Sequence, residues 1–297
     1  MSIGANGNVN AGYRGIATIA GNQVRFADAN ITARQEIEAP DLIMGDWDHD
    51  AYVYGKIEVG GTVSGPVTQT FTDGANSVLA WACGRTDPCG TLTAEDVKLY
   101  YFCGSSREFT NLFVNSLSIS CAAGEVAQFS VDVVGTGAAG FVAETPPHFT
   151  TPEKLVTWDK VNVTVGGTCD EASIANLRFS NFEFTVANNV ETVYGLGQTD
   201  LFPFDIVPGL RTITGSLSVY NTPDFNGQDT WDDYCAEDTC DLTFTLGEAS
   251  CAFTEALTIT MKVRFHRIEP TSSVGPIIST VGFTGVTHQS GFPWDTA

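Results

Sequence analysis

Basic residues are scarce in this chain. Its 297 residues hold 14 lysines and arginines against 35 aspartates and glutamates, a formal charge of −21. Wrapping nucleic acid by neutralising phosphate needs clustered Lys and Arg, so that mode is excluded. Only 16% of residues are charged, and the acidic surplus is spread over both halves. It belongs to the folded surface, where it favours solubility and repels other anions.

Other absences narrow the field further. The four histidines, His49, His148, His266 and His288, sit in no catalytic motif, and His266 falls on the polar side of a strand pattern. No G-x-S-x-G, H-E-x-x-H or Gly-rich phosphate loop occurs, so neither an enzyme nor a cofactor is expected. No run approaches the roughly 18 apolar residues of a membrane span, so no membrane anchor is expected. The first residues lack the basic start and apolar core of a secretion signal, which predicts folding in a cytoplasm. None of the eight cysteines forms a CxxC pair, so a zinc site is only weakly supported. Two readings of the cysteines stay open: buried reduced thiols, or disulfides that close outside the reducing cell. For the second, the pairs to examine are Cys83–Cys89 and Cys235–Cys240, in polar loops.

What is present is β-pattern. In Asn176–Tyr220, Phe182, Phe184 and Val186 alternate with Glu183, Thr185 and Ala187. After a Gly- and Pro-punctuated loop, Ile213, Leu217 and Val219 alternate with Thr212, Thr214, Ser216 and Ser218. Period-two alternation with β-branched and aromatic residues marks two strands. The chain repeats this unit. Residues 24–40 line up with 177–193 at constant offset: Arg25-Phe26 with Arg178-Phe179, Asp28 with Asn181, Thr32 with Thr185, Ile37-Glu38 with Val190-Glu191. One residue of slip later, Gly55 matches Gly209, Gly61 matches Gly215, Ser64 matches Ser218, and Val59 and Val63 match Ile213 and Leu217. Ordered matches at a fixed period indicate a duplicated domain.

The predicted class is all-β, with two tandem related domains and no helix longer than a few turns. Residues 1–21 read as an N-terminal arm and 22–140 as the first domain. The Gly-, Ala- and Pro-rich stretch 135–153 is the junction, its linker proper at 141–154, and 155–297 make the second domain. Strands are expected at 23–33, 57–68 and 155–165, and a short helix at Asn76–Cys83. A hairpin of 112–121 with 126–134 is also predicted. The clearest strand places Leu257, Ile259, Met261, Val263 and Phe265 on one face.

Asp46, Asp48 and Asp50 alternate like the start of a calcium loop. The motif's turn glycine and bidentate glutamate are missing, Ile57 standing where the latter belongs. An acidic loop facing water is the simpler reading.

The run FEFTVANNVE, then YGLG, a Pro/Gly loop and TITGSLSVY, resembles the tail tube proteins of tailed bacteriophages. So do the terminal RFHRIEPTSSVGPIISTVGFTGV and, in the first half, PDLIMGDWD and VGGTVSGPV. The resemblance spans most of residues 22–287. It implies sandwich-like half-barrel domains whose inner strands join those of neighbouring chains into a ring-shaped β-barrel. Rings stack into a tube that carries DNA from capsid to cell. Where relatives with one domain form rings of six chains, a duplicated chain would need three, a pseudo-hexameric trimer. The expected lining of the bore is Thr62, Ser64, Ser118, Ser120, Ser130, Asp132, Thr214, Ser216 and Ser218. The loops at 35–56 and 188–210 would reach the next ring or the exterior. Expected partners are further copies of the chain and other tail proteins: terminator, tape measure and, where the tail has one, sheath. DNA passes without specific binding, and the location is the virion tail, assembled in the host cytoplasm. Two alternatives stand beside this reading. One is a tube-initiating hub or distal ring of the same fold. The other is a tandem-sandwich adhesin, for which Trp47, Trp81, Trp158, Trp231 and Trp294 are too scattered to nominate a groove.

Overall fold

A computed structural model describes residues 13–19, 22–38, 53–68, 78–83, 92–101, 104–147, 154–167, 178–197, 201–220, 239–247, 257–271 and 278–286. Most of them are strand. In chain order these are β1 (Tyr13–Ile19), β2 (Asn22–Arg25), β3 (Asp28–Ala29), β4 (Thr32–Glu38), β5 (Val53–Pro66), β6 (Glu95–Tyr101), β7 (Ser105–Ala122) and β8 (Gln128–Ala143). The second half supplies β9 (Val161–Gly167), β10 (Phe179–Ala187), β11 (Glu191–Val193), β12 (Asp205–Val207), β13 (Thr212–Tyr220), β14 (Cys240–Leu246), β15 (Leu257–Thr271) and β16 (Ile278–Gly285). Among the described residues the only helices are α1 (Val78–Cys83) and a 3-10 turn at Trp158–Lys160. Neither is long and apolar enough to cross a membrane.

Fourteen strands form one sheet in the order β2-β1-β6-β7-β10-β13-β16-β15-β14-β9. Branching from it, β8 lies on β7, β5 on β8, and β3 and β4 on β5; β11 and β12 make a separate hairpin. Every pairing is antiparallel, as short turns between alternating strands require. Strand β7 is the hinge of the topology. One edge carries β8 along its length, while the other carries β6 up to Leu112 and β10 from Ser116 onward.

Between those partners β7 has bare carbonyls, and buried carbonyls need donors. Trp81 Nε1 of α1 donates to Leu112 O at 3.2 Å. Asn188 Nδ2 donates to Val114 O at 2.9 Å and to Ala82 O of α1 at 3.1 Å. The short helix is therefore held where β7 changes neighbours, and Asn188 also serves one of its orphan C-terminal carbonyls.

The apolar face follows the alternation in the sequence. Leu117, Ile119, Phe182, Phe184, Ile213, Leu217 and Val219 are all buried, as are Ile259, Met261, Val263 and Phe265. Phe244 of β14 packs 4.9 Å from Phe182 and 5.0 Å from Phe184, ring centre to ring centre. Three strands separate β14 from β10 in the sheet, so the sheet curls back on itself into a two-layered, sandwich-like half. Burying each such ring stabilises the fold by roughly 1.5–3 kcal/mol. One core cluster takes residues from both halves.

Local extents differ from the sequence reading in four places. The segment 23–33 is divided into β2, β3 and the start of β4. Tyr13–Ile19, read as arm, pairs with both β2 and β6. Residues 135–143 continue β8 against β7. The strand expected at 155–165 starts at Val161, after a bridge from Leu155 to Thr68 and the 3-10 turn.

Candidate functional site: a polar sheet face with open edges

Cross-strand partners share a face, so the register shows which side chains stand together. One row carries six hydroxyls on six strands, Ser64, Ser130, Ser118, Thr185, Thr214 and Thr284, with Asp28 of β3 and Arg264 of β15 at its two ends. A second carries Gln128, Ser120, Glu183 and Ser216. Thr62 stands opposite Asp132, and Ser218 opposite Asn181 and Thr280. All nine residues assigned to the bore thus lie on one face of one sheet, opposite the core. Thr62, Ser130 and Thr214 are exposed, and the other six are half-buried.

The face is hydroxyl-rich and internally bonded. Ser118 Oγ and Thr185 Oγ1 are 2.8 Å apart. Asn115 Nδ2 donates to Asp132 Oδ2 at 2.7 Å, while Asn115 Oδ1 accepts from the Val190 amide at 3.1 Å. Asn181, Glu183, Thr185, Gln128, Thr280 and Thr284 share it and were absent from the sequence assignment. Their signal was legible: each is the polar partner in a period-two strand whose neighbours were chosen.

The segment 188–210 contains the β11–β12 hairpin. It packs inward as well as reaching out: Ile57 N donates to Leu201 O at 2.8 Å, and Tyr194 OH donates to Ile57 O at 3.1 Å. Burial, then the nearby Glu58 carboxylate, pushes the Tyr194 phenol up from its usual range. Beyond this anchor Leu196, Phe204 and Leu210 stand in solvent at 107, 64 and 80% exposure. Ile37 and Tyr54, cross-strand partners near the end of β4–β5, are exposed too. Their loop, 39–52, lies outside the described residues, and with it the candidate metal residues Asp46, Asp48 and Asp50. Among the described residues no group of three His, Cys, Asp or Glu could hold a metal.

Cys240 opens β14, is 1% exposed and is disulfide-bonded. Its partner falls outside the described side chains, as do Cys89 and Cys235; Cys83 ends α1, its side chain not described. Cys121 is a free thiol in the core, and burial pushes its pKa up.

Several strand edges are open among the described residues, the outer edges of β2 and β9 included. Among the described residues nothing pairs with the outer edge of β3–β4, nor with β15 beyond Val263 on its β14 side. The fold defines an all-β chain with one hydroxyl-lined face and one apolar face, and its open edges are of the kind that assembly can cover. A family model described as phage tail tube protein matches residues 4–285, and the chain belongs to that family. It is a structural component of a phage tail. No curated protein matches the chain.

Proposed function

We propose that the chain is the tube subunit itself: three copies close a ring of six related half-barrels, rings stack, and the genome passes through the bore. The observation that carries this reading is the repeated register. Asp28↔Ser64 recurs as Asn181↔Ser218, and Thr32↔Gly60 as Thr185↔Thr214. These are the offsets of the sequence repeat, so each half presents the same strand unit. Two equal units per chain make three chains equivalent to six single units. A head-to-tail contact that closes by rotation gives a ring, and stacking gives a filament.

The hydroxyl face supports a conduit. Serine and threonine carry no charge to neutralise phosphate, and among the central rows Asp132 and Glu183 repel it, with Arg264 a cation at the row's end. DNA would slide there instead of binding. The exposed apolar hairpin residues Leu196, Phe204 and Leu210 suit the contact between rings, where burial would remove them from water. Terminator and tape-measure proteins would meet the tube at its ends and within it, after assembly in the host cytoplasm.

Negative-stain microscopy of the purified protein tests the reading. Stacked rings of uniform width with threefold symmetry are expected. A single ring that never elongates would favour a hub, and a monomer at all concentrations would overturn the proposal.

A further inference from the structure

Inside one chain the two halves meet at a seam, β7 against β10, and among the described residues both edges of the same seam also stand open. The first half runs β3/β4-β5-β8-β7 and the second β10-β13-β16-β15. Their registers correspond at every step. Ser64↔Ser130 recurs as Ser218↔Thr280, and Ser118↔Ser130 as Glu269↔Thr280. The bulge of β7 at Val114/Ser116 recurs in β15 at Phe265/Arg267. Strand β6 follows β7 as far as Leu112, and β14 follows β15 as far as Val263, which is the residue matching Leu112. Beyond that point β7 is covered by β10, whereas β15 is covered by nothing among the described residues. The strands that correspond to β10 are β3 and β4, whose outer edge is unpaired among the described residues.

We propose that Arg267–Thr271 of β15 pairs antiparallel with Asn30–Arg34 of a second copy of this chain, in the register of the β7·β10 seam. Thr32 then faces Glu269 as Thr185 faces Ser118, and Asn30 faces Thr271 as Glu183 faces Ser120. The inference rests on the ring reading above and specifies its contact.

Exposure supports the match. Asn188 is fully buried and Val190 half-buried at the internal seam, while their counterparts Gln35 and Ile37 are exposed. Val186 is 1% exposed, and its counterpart Ala33 is only half-buried. Backbone direction agrees as well. Asn30 N donates to Thr62 O, so by alternation Ile31 turns its amide and carbonyl to the open edge. Ala123 N donates to Ser180 O across the internal seam, so Ile119 also faces that seam. Pro270 stands at the position of Ile119. The seam between copies therefore has one hydrogen bond fewer, and a proline on a waiting edge blunts indiscriminate pairing. Because each seam repeats the step that relates the halves of one chain, successive copies add the same rotation.

Cysteine pairs in the full chain read the register directly. Ser118 and Thr185 bring their hydroxyl oxygens to 2.8 Å, so a cysteine pair there is close enough for a disulfide. After mild oxidation, T32C/E269C should give reductant-sensitive dimers and closed trimers on a non-reducing gel. S118C/T185C should crosslink within one chain and stay at monomer mass. The single variants and the unaltered chain set the background from native cysteines. N30C/T271C, two residues along, gives the same ladder if T32C/E269C folds poorly. T32C/T164C, which probes another free edge, at β9, should remain monomeric. Rings without a T32C/E269C or N30C/T271C ladder, or with a T32C/T164C ladder, would overturn this seam while leaving the tube intact. Absence of rings from the unaltered chain would remove the tube reading and this seam together.

Discussion

Arg211 Nε donates a hydrogen bond to Asn188 Oδ1 at 2.7 Å, completing the partners of an amide that is fully buried. Asn188 is thereby a three-way staple. Its amide nitrogen serves Ala82 O and Val114 O, and its oxygen serves Arg211. Its backbone is committed too, donating to Asn115 O at 2.7 Å and accepting from Gly209 N at 3.1 Å. Helix α1, strand β7 and the entry to β13 converge on one side chain.

Asn188→Ala should therefore leave two carbonyls and an arginine nitrogen without this partner in a dry site. Each unsatisfied buried group costs about 1–3 kcal/mol, so a loss of about 2–4 kcal/mol is expected. Gln35→Ala, at the equivalent but exposed position of the first half, should change the stability of the isolated chain by less than about 0.5 kcal/mol. Chemical denaturation of unassembled protein compares the two. Equal effects would mean that the staple is not a distinct property of the buried copy.

The weak sequence repeat was carried by glycines, and the structure explains why those identities persisted. A Cβ on Gly61 would run into Asn30 O, and one on Gly215 into Glu183 O; Asn30 and Glu183 are themselves matched positions. Likewise Gly55 lies against Glu36 and Gly209 against Asn189, another matched pair. Close backbone approach admits only glycine. Gly61 also has φ 147°, a region other residues rarely adopt. Gly61→Ala and Gly215→Ala should each destabilise by about 1–3 kcal/mol or more through overpacking. Soluble yield and thermal midpoint report this. Wild-type behaviour of both variants would show that the sheet relaxes around a methyl group.

How much of this was legible depended on whether the signal was local. Alternation in β10, β13 and β15 placed their described core residues correctly, Leu257 lying outside the described side chains, because a half-buried strand writes its own period. Where burial comes from distant neighbours, the period is weak. Among the described side chains of β1, Ala17 and Ile19 mark the core face, and the strand is held in the sheet by β6, far along the chain. The same stretch of small residues therefore looked like an arm. Gly135 and Gly137 looked like linker, yet they are small because Leu112 and Thr110 of β7 occupy the space a Cβ would need. The polar face was legible residue by residue. Its continuity across both halves was not, since the β7·β10 seam joins segments that no local pattern connects.

Glu144 accepts a hydrogen bond from the buried Ser106 hydroxyl at 2.6 Å and pairs with Lys98 at 3.3 Å. The Ser106 bond, then Lys98, holds its carboxyl below the usual range. A folded-state pKa below the unfolded value stabilises the fold above the unfolded pKa of about 4.3. That contribution is lost as pH falls through the folded value. The group is partly exposed, so solvent screening limits the effect to under about 1 kcal/mol. Glu144→Gln should be slightly less stable than wild type at pH 7, with the gap closing by about pH 3. Denaturation midpoints across that range check the sign, and a gap independent of pH would refute the assignment.

The bore itself can be probed at Thr214, which is exposed on the hydroxyl face opposite Thr185 and Thr284. In assembled tubes, a Thr214→Cys side chain should react with a small maleimide and resist a bulky polymer-linked one, because the latter cannot diffuse along the bore. In dissociated chains both reagents should react alike, with unaltered protein giving the background of native thiols. Equal reactivity toward the bulky reagent in intact tubes would place this face outside. Charge then tests what the uncharged hydroxyl rows do, between the outlying cations Arg34 and Arg264. Thr214→Lys adds one positive charge per chain to each ring, and phosphate neutralisation makes binding strong at low salt and weak at high salt. Tubes carrying it should retain short duplex DNA at low salt and release it as salt rises, while unaltered tubes retain none at either. If the lysine tubes hold no more DNA than unaltered ones, a repulsive lining is not what lets the genome slide.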